Sequence, residues 1–245
     1  MLRKDRRGWW RTPPILIDVA NWLRNRRKPE DLHERSRKRW RGNEADRALT
    51  WGTIWDGSAF VKAALKRVSF TSSASILEIG PGYGRLLDEI LREGLQFQSY
   101  LGLDLSPGRI ERLTAKYRGD ERIKFLLGDV ETFQLEQRFD LCISSATFVH
   151  LYPDCGKALR NIERHMKPGG YLAFDVHPKP EPSNGPSGDW GDGDTYACAY
   201  APSDIKRLVS GSRLSDLTSE NIIHGQSVTG ENVACLFVCM CVKGI

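Results

Sequence analysis

Ile76-Leu77-Glu78-Ile79-Gly80-Pro81-Gly82-Tyr83-Gly84 decides how this chain folds. A short apolar run, Ser75–Ile79, reads as a strand, and it ends in three alternating glycines. Arg85–Glu93 then reads as a helix. Glycines at such a junction let the backbone turn sharply. They also let a ligand approach main-chain N–H groups with no Cβ in the way.

Working outward from this turn, strand and helix alternate. Ser99–Asp104 is a strand, Gly108–Tyr117 a helix and Ile123–Leu127 a strand. Phe139–Ser144 is the fourth strand, Gly156–His165 a helix and Tyr171–Val176 the fifth strand. Such alternation predicts a mostly parallel sheet with helices on both faces. Residues 178–195 break the pattern with Pro178, Pro180, Pro182 and Pro186 among several glycines, and read as a loop after a strand's carboxyl end. Ser203–Leu208 then reads as a helix start capped by Ser203, with strands near Ser215–Ile223 and Val233–Val242 completing the chain.

The glycine spacing discriminates between ligands. A dinucleotide fingerprint needs a third glycine or alanine at position 85, where this chain has Arg85. The run instead resembles the first motif of class I S-adenosylmethionine methyltransferases, an acidic residue followed by GxGxG, with Glu78, Gly80, Gly82 and Gly84 in register. Asp104 closes the second strand, where a carboxylate can accept both ribose hydroxyls. Leu127-Gly128-Asp129-Val130 is similar to the family's adenine site, and Phe139–Ser145 to its fourth motif. Met166-Lys167-Pro168-Gly169-Gly170 is similar to the turn into strand five. The resemblance implies an α/β Rossmann-like, doubly wound, mostly parallel seven-stranded sheet with an N-terminal helical extension. It further implies S-adenosylmethionine held by Glu78, Gly80, Pro81, Gly82, Gly84, Asp104, Leu105, Gly128, Asp129, Val130, Ser144 and Ser145.

Methyl transfer from a sulfonium is an in-line displacement, so the enzyme mainly aligns its reactants. A hydroxyl acceptor also benefits from a base, and two histidines stand at carboxyl ends of core strands: His150 and His177. His33, His165 and His224 carry no such signal. Trp51, Trp55, Phe148 and Tyr152 are the expected acceptor-binding residues, and no metal site is expected. The stretch Ser144-Ser145-Ala146-Thr147 lacks the paired prolines of family members that methylate base or glutamine nitrogens, and no Pro-Cys loop is present. The expected acceptor is therefore a small molecule or saccharide, methylated at oxygen.

The 245 residues suit one α/β core with an extension, and 40% hydrophobic with 27% charged residues is ordinary for a globular chain. The net charge of +5 is unevenly distributed: residues 1–47 hold 15 Lys/Arg against 7 Asp/Glu, while the remainder holds 21 against 24. Three segments follow: a basic helical extension (1–42), a helical cover (43–70) and the cofactor-binding domain (71–245). Asp18 interrupts the apolar stretch after the first basic residues, so no secretory signal is read. Six cysteines without a CxxC pair suit a reducing, cytoplasmic compartment. Two roles compete for the extension: packing over the core, or docking of residues 9–28, with Trp9, Trp10 and Trp22, on an anionic membrane surface. Two rival functions remain open: an RNA or protein methyltransferase using the basic arm, with nucleic acid the weaker partner, and a noncatalytic cofactor-binding scaffold.

Overall fold

A computed structural model describes residues 29–42, 55–191, 195–226 and 230–244. Residues 1–28 and 43–54, Trp51 among them, lie outside the described residues. The chain divides into two compact units, Met1–Arg35 and Ser36–Ile245. Helix α1 (Pro29–Arg41) contains the boundary, and its basic last turn belongs to the second unit.

The second unit is built on β1 (Ser75–Ile79), β2 (Ser99–Asp104), β3 (Ile123–Leu127), β4 (Phe139–Ser144) and β5 (Met166–Pro178). They lie in the order β3-β2-β1-β4-β5, all parallel. Every residue of β1 is buried, as expected for a central strand covered on both faces. Two apolar clusters do the covering. Leu77, Ile79 and Phe174 belong to one; Ile76, Ala173 and Phe237 belong to the other, with α2 (Ser58–Leu65) and α3 (Arg85–Arg92). Helices α4 (Pro107–Lys116) and α5 (Gly156–Arg164) complete the crossovers. Ser106 caps α4, its hydroxyl accepting from Arg109 N.

The fold class is the one the sequence implies, with a larger sheet. Along Tyr171–Val176, β5 pairs antiparallel with β9 (Asn232–Val242), which pairs in turn with β8 (Leu214–Gln226). That run holds the expected seven strands. Two more come from the segment read as a loop: β6 (Ser187–Trp190) and β7 (Tyr196–Tyr200) form an antiparallel pair. His177 and Pro178 at the end of β5 pair with Ala199 and Tyr200, giving nine strands in all. The prolines end before Ser187, so the backbone donors that β6 and β7 need are intact.

Helix α6 (Pro202–Leu208) begins one residue earlier than read, and Ser203 does not cap it. Asp204 turns its carboxylate back to accept the Ala201 N–H at 2.9 Å, while Ser203 bonds Glu181. No described helix is long and apolar enough to cross a membrane.

Candidate functional site

The strand order reverses direction between β1 and β4, and in open α/β sheets ligands settle at the carboxyl ends beside such a point. A cavity of about 490 Å³ lies there. Its floor comes from Ile79–Tyr83 after β1, Leu103–Leu105 after β2, Gly128–Val130 after β3 and Ser145–Thr147 after β4. His150 and Leu151, His177, Thr195 just before β7 and Ala197 within it line another side. Ser36, Arg37, Arg39 and Trp40 from the C-terminal half of α1 close over it.

The glycine turn is held in a left-handed backbone, with φ of +66° at Gly80 and +59° at Gly82. A Cβ at Gly80 would run into Thr147, coming within 2.8 Å of its Cγ2. At Gly82 it would meet nothing closer than the Gly80 oxygen at 3.9 Å, so there the missing Cβ leaves open space at the cavity wall.

Asp104 is buried at the tip of β2. Its Oδ1 accepts Ser106 N at 2.9 Å and its Oδ2 accepts Gly82 N at 3.2 Å. Burial pushes this carboxyl up from its ordinary value, against the pull of Arg109 and of those N–H groups. Each oxygen keeps a lone pair for a hydroxyl in the cavity. Asp129 accepts Glu131 N through Oδ1 at 2.9 Å, and its Oδ2 pairs with Arg37 Nε at 2.7 Å. The same guanidinium reaches Glu131 Oε2 at 2.7 Å, so the C-terminal half of α1 is clamped to the β3 edge of the site.

His150 ends a short 3₁₀ turn, Phe148–His150, after β4. Its Nδ1 lies 2.7 Å from the carbonyl oxygen of Tyr196, which can only accept, so Nδ1 carries the proton and Nε2 keeps its lone pair. Burial pushes the imidazole down to about 4, with help from the cationic surroundings, against the Tyr196 carbonyl. Trp40 packs on the ring at 4.3 Å, and Ser36 Oγ donates to the His150 carbonyl at 2.8 Å. His177 is also lowered by burial, partly offset by Asp175.

Gly80, Pro81, Gly82, Asp104, Leu105, Gly128, Asp129, Val130, Ser145, His150 and His177 thus meet at one cavity. Several expected residues stand elsewhere. Glu78 is buried and takes the Tyr100 O–H at 2.5 Å; burial pushes it up to about 7. Gly84 packs against Tyr117, and Ser144 Oγ donates to Ile79 O at 2.9 Å in the interior. Phe148 is a core residue against Phe174, because the 3₁₀ turn directs it inward. Trp55 is buried with its ring stacked on His224 and its Nε1 donating to Gln226 O at 3.0 Å. Tyr152 joins Trp190 and Tyr196 in an aromatic cluster. None of these lines the cavity.

Sequence reasoning did not assign Arg37, Trp40, Arg85 or Asp175 to the site, and it found no signal in His224. Asp175 and His224 are buried, and His224 Nε2 lies 2.9 Å from Asp175 Oδ2. Only the position of Asp175, two residues before His177 on the same strand, hinted at this pair.

Residues 77–174 match the model of the methyltransferase domain family. A malonyl-[acyl-carrier protein] O-methyltransferase of Priestia megaterium is 33% identical over 107 residues, 44% of this chain and 38% of that protein. A phthiotriol/phenolphthiotriol dimycocerosates methyltransferase of Mycobacterium leprae is 34% identical over 109 residues, 44% of this chain and 39% of that one. The matched part therefore spans well under half of these relatives. Among solved structures, the N-methyltransferase NodS from Bradyrhizobium japonicum, in complex with S-adenosyl-L-homocysteine, aligns with a TM-score of 0.59 at 17% identity, covering 87% of this chain and 99% of that one. A 1,6-didemethyltoxoflavin-N1-methyltransferase from Burkholderia thailandensis aligns at 0.58 and 18%, covering 96% and 92%. The match to the methyltransferase domain family falls on the part of the chain that holds the glycine turn and the strand-end acids, and the solved structures share its fold.

Proposed function

We propose that this protein transfers a methyl group from S-adenosylmethionine to an oxygen of a small-molecule or saccharide acceptor, with His150 as the general base. The donor set of the cavity fits an adenosyl group. Asp104 offers two lone pairs for vicinal hydroxyls, and Gly80 and Gly82 open the backbone beside it. Asp129 and the main chain at Val130 stand where an adenine edge would be read. When bound, the donor supplies a methyl group on a positively charged sulfur.

The remaining work falls to the chain itself. Asp104 and Asp129 orient, Trp40 and the last turn of α1 exclude water, and His150 receives the acceptor proton at Nε2 as the oxygen becomes nucleophilic. The observation that carries the oxygen assignment is the tautomer of His150. A carbonyl fixes the proton on Nδ1, and burial keeps the ring neutral, so Nε2 of this cavity-lining residue is free of its proton throughout the neutral pH range. His177 stands on the same wall as the second candidate.

The test is incubation with radiolabelled donor and a cell extract fractionated into lipid, glycan, nucleic acid, protein and small metabolites. Label is expected among glycans or small metabolites. Label confined to nucleic acid or protein would replace this acceptor class, and no transfer at all would leave a cofactor-binding scaffold. With the acceptor in hand, His150→Ala is expected to lower turnover about 10²-fold or more while donor affinity stays within a few fold. Near-normal turnover would remove His150 from the mechanism.

A further inference from the structure

Asp175, near the end of β5, is fully buried and accepts three hydrogen bonds. Ala146 N donates to Oδ1 at 2.7 Å, and Ser145 Oγ and His224 Nε2 donate to Oδ2, the latter at 2.9 Å. Ser145 Oγ in turn receives Arg85 Nη2 at 2.5 Å. Arg85, Ser145 and Ala146 line the cavity, whereas Asp175 and His224 stand behind it. The turn they hold is unusual: Ala146 has φ of +55°, a left-handed conformation that a side chain with a Cβ resists and that persists only where the surroundings impose it. Among the described residues the Ala146 N–H donates to Asp175 alone.

His224 is built to hold that carboxylate in place. Its side chain is 1% exposed, and the Trp55 ring lies parallel to it at 5.7 Å. Among the described residues its Nδ1 has no hydrogen-bond partner, and its Nε2 is tethered to Asp175. Because a carboxylate only accepts, Nε2 carries the proton and the tautomer is set. Burial would raise the Asp175 carboxyl, but the His224 hydrogen bond, followed by the Arg85 charge and the Ser145 hydrogen bond, holds it below the ordinary carboxylate range.

We propose that Asp175, oriented by His224, is a positioning residue for methyl transfer, pinning the Ser145–Ala146 turn and the Arg85 guanidinium as a preset wall of the cavity. The proposal rests on the function given above. A wall fixed in advance need not be ordered when donor and acceptor meet, and displacement of such a wall by about 1 Å can lower a rate about 10²-fold.

The test compares the wild type with Asp175→Asn, Ser145→Ala, His224→Gln and His224→Leu. Three quantities are measured: S-adenosylhomocysteine affinity by calorimetry, turnover on the extract fraction that the wild type methylates, and hydrogen exchange of the peptide spanning Ser144–His150. Asp175→Asn sets an amide donor against the Ser145 and His224 donors. Its turnover is expected to fall about 10- to 100-fold, its S-adenosylhomocysteine affinity to change less than about 5-fold, and its Ala146 amide to exchange faster. Ser145→Ala removes the two bonds of the hydroxyl, to Asp175 and from Arg85, but leaves the Ala146 N–H on Asp175, and should show a smaller loss in the same direction. His224→Gln, which keeps an N–H at that reach, should recover turnover that His224→Leu loses.

Variants that are merely less stable, with wild-type turnover per folded molecule and unchanged exchange at Ala146, would overturn the proposal. So would a stoichiometric metal in the purified protein that is lost in Cys235→Ser. The donor atoms of Asp175, His224 and Cys235 lie within 4.8 Å of one another, and an ion among them would replace the His224 bond. Absence of S-adenosylhomocysteine binding by the wild type would sink the function itself, while the exchange comparison would still decide whether Asp175 holds the turn.

Discussion

Gly80→Ala perturbs the turn on which the site depends, and its effect can be worked out in two parts. The first is conformational: at φ of +66° an alanine carries the left-handed penalty, about 1–2 kcal/mol. The second is steric. The added Cβ would land on Thr147, whose Cγ2 and Cβ would lie 2.8 and 3.0 Å away, and forcing a methyl into packed surroundings costs about 1–3 kcal/mol. The sum is about 2–5 kcal/mol. Gly82→Ala is the internal control, because φ is +59° but no atom lies within 3.9 Å; it should show the conformational part alone, about 1–2 kcal/mol. Thr147→Ala removes the atoms that the new methyl meets first, so the double variant Gly80→Ala/Thr147→Ala should be less destabilised than the two single effects added, by about 1 kcal/mol or more. Urea denaturation of the wild type and the four variants, read by fluorescence and far-ultraviolet circular dichroism, measures each difference. If Gly80→Ala were no more destabilising than Gly82→Ala, or if Thr147→Ala gave no relief, the packing of the glycine turn against Thr147 would be refuted.

Two buried groups should give opposing pH dependences. His150 in the folded chain titrates at about 4 rather than 6.5, so between those values the unfolded chain binds the extra proton and stability falls as pH falls. Glu78 titrates at about 7 rather than 4.5, so between those values the folded chain holds the extra proton and stability falls as pH rises. Each effect is at most about 3 kcal/mol, and they largely cancel between about pH 4.5 and 6.5. Glu78→Gln should therefore unmask a stability that climbs from pH 4.5 to 6.5, and His150→Gln one that declines. Denaturation midpoints across that range that are flat in both variants would contradict these environments.

The glycine turn and both strand-end acids were legible because they are local: a few consecutive residues specify the strand, the bend and the carboxylate at its tip. Strand β7 was also legible in principle. Tyr196, Cys198 and Tyr200 alternate with two alanines, and their side chains are buried as that alternation suggests, but the prolines before Ser187 masked it. The pairing of His224 with Asp175 was not legible. It spans 49 residues and exists only because β9 pairs with both β5 and β8 and so brings them into one sheet, one strand apart. The same holds for Arg37 on Asp129, a polar helical residue whose partner is set by tertiary packing. Trp55 and Phe148 were read as cavity walls because aromatic residues near the site suggest one; their burial comes from the sheet beneath them.

The central claim is that the crevice at the tips of β1, β2 and β3 holds an adenosyl group through Asp104. Calorimetric titration of S-adenosylhomocysteine into the wild type and into Asp104→Asn, with NAD as the comparison ligand, tests it most directly. S-adenosylhomocysteine should bind the wild type with one site per chain, NAD should give no binding heat, and Asp104→Asn should weaken the affinity at least about 10-fold, the loss of about 1.4 kcal/mol expected for a charge-assisted hydrogen bond. Equal affinity in the two proteins, or binding of NAD in place of S-adenosylhomocysteine, would contradict it.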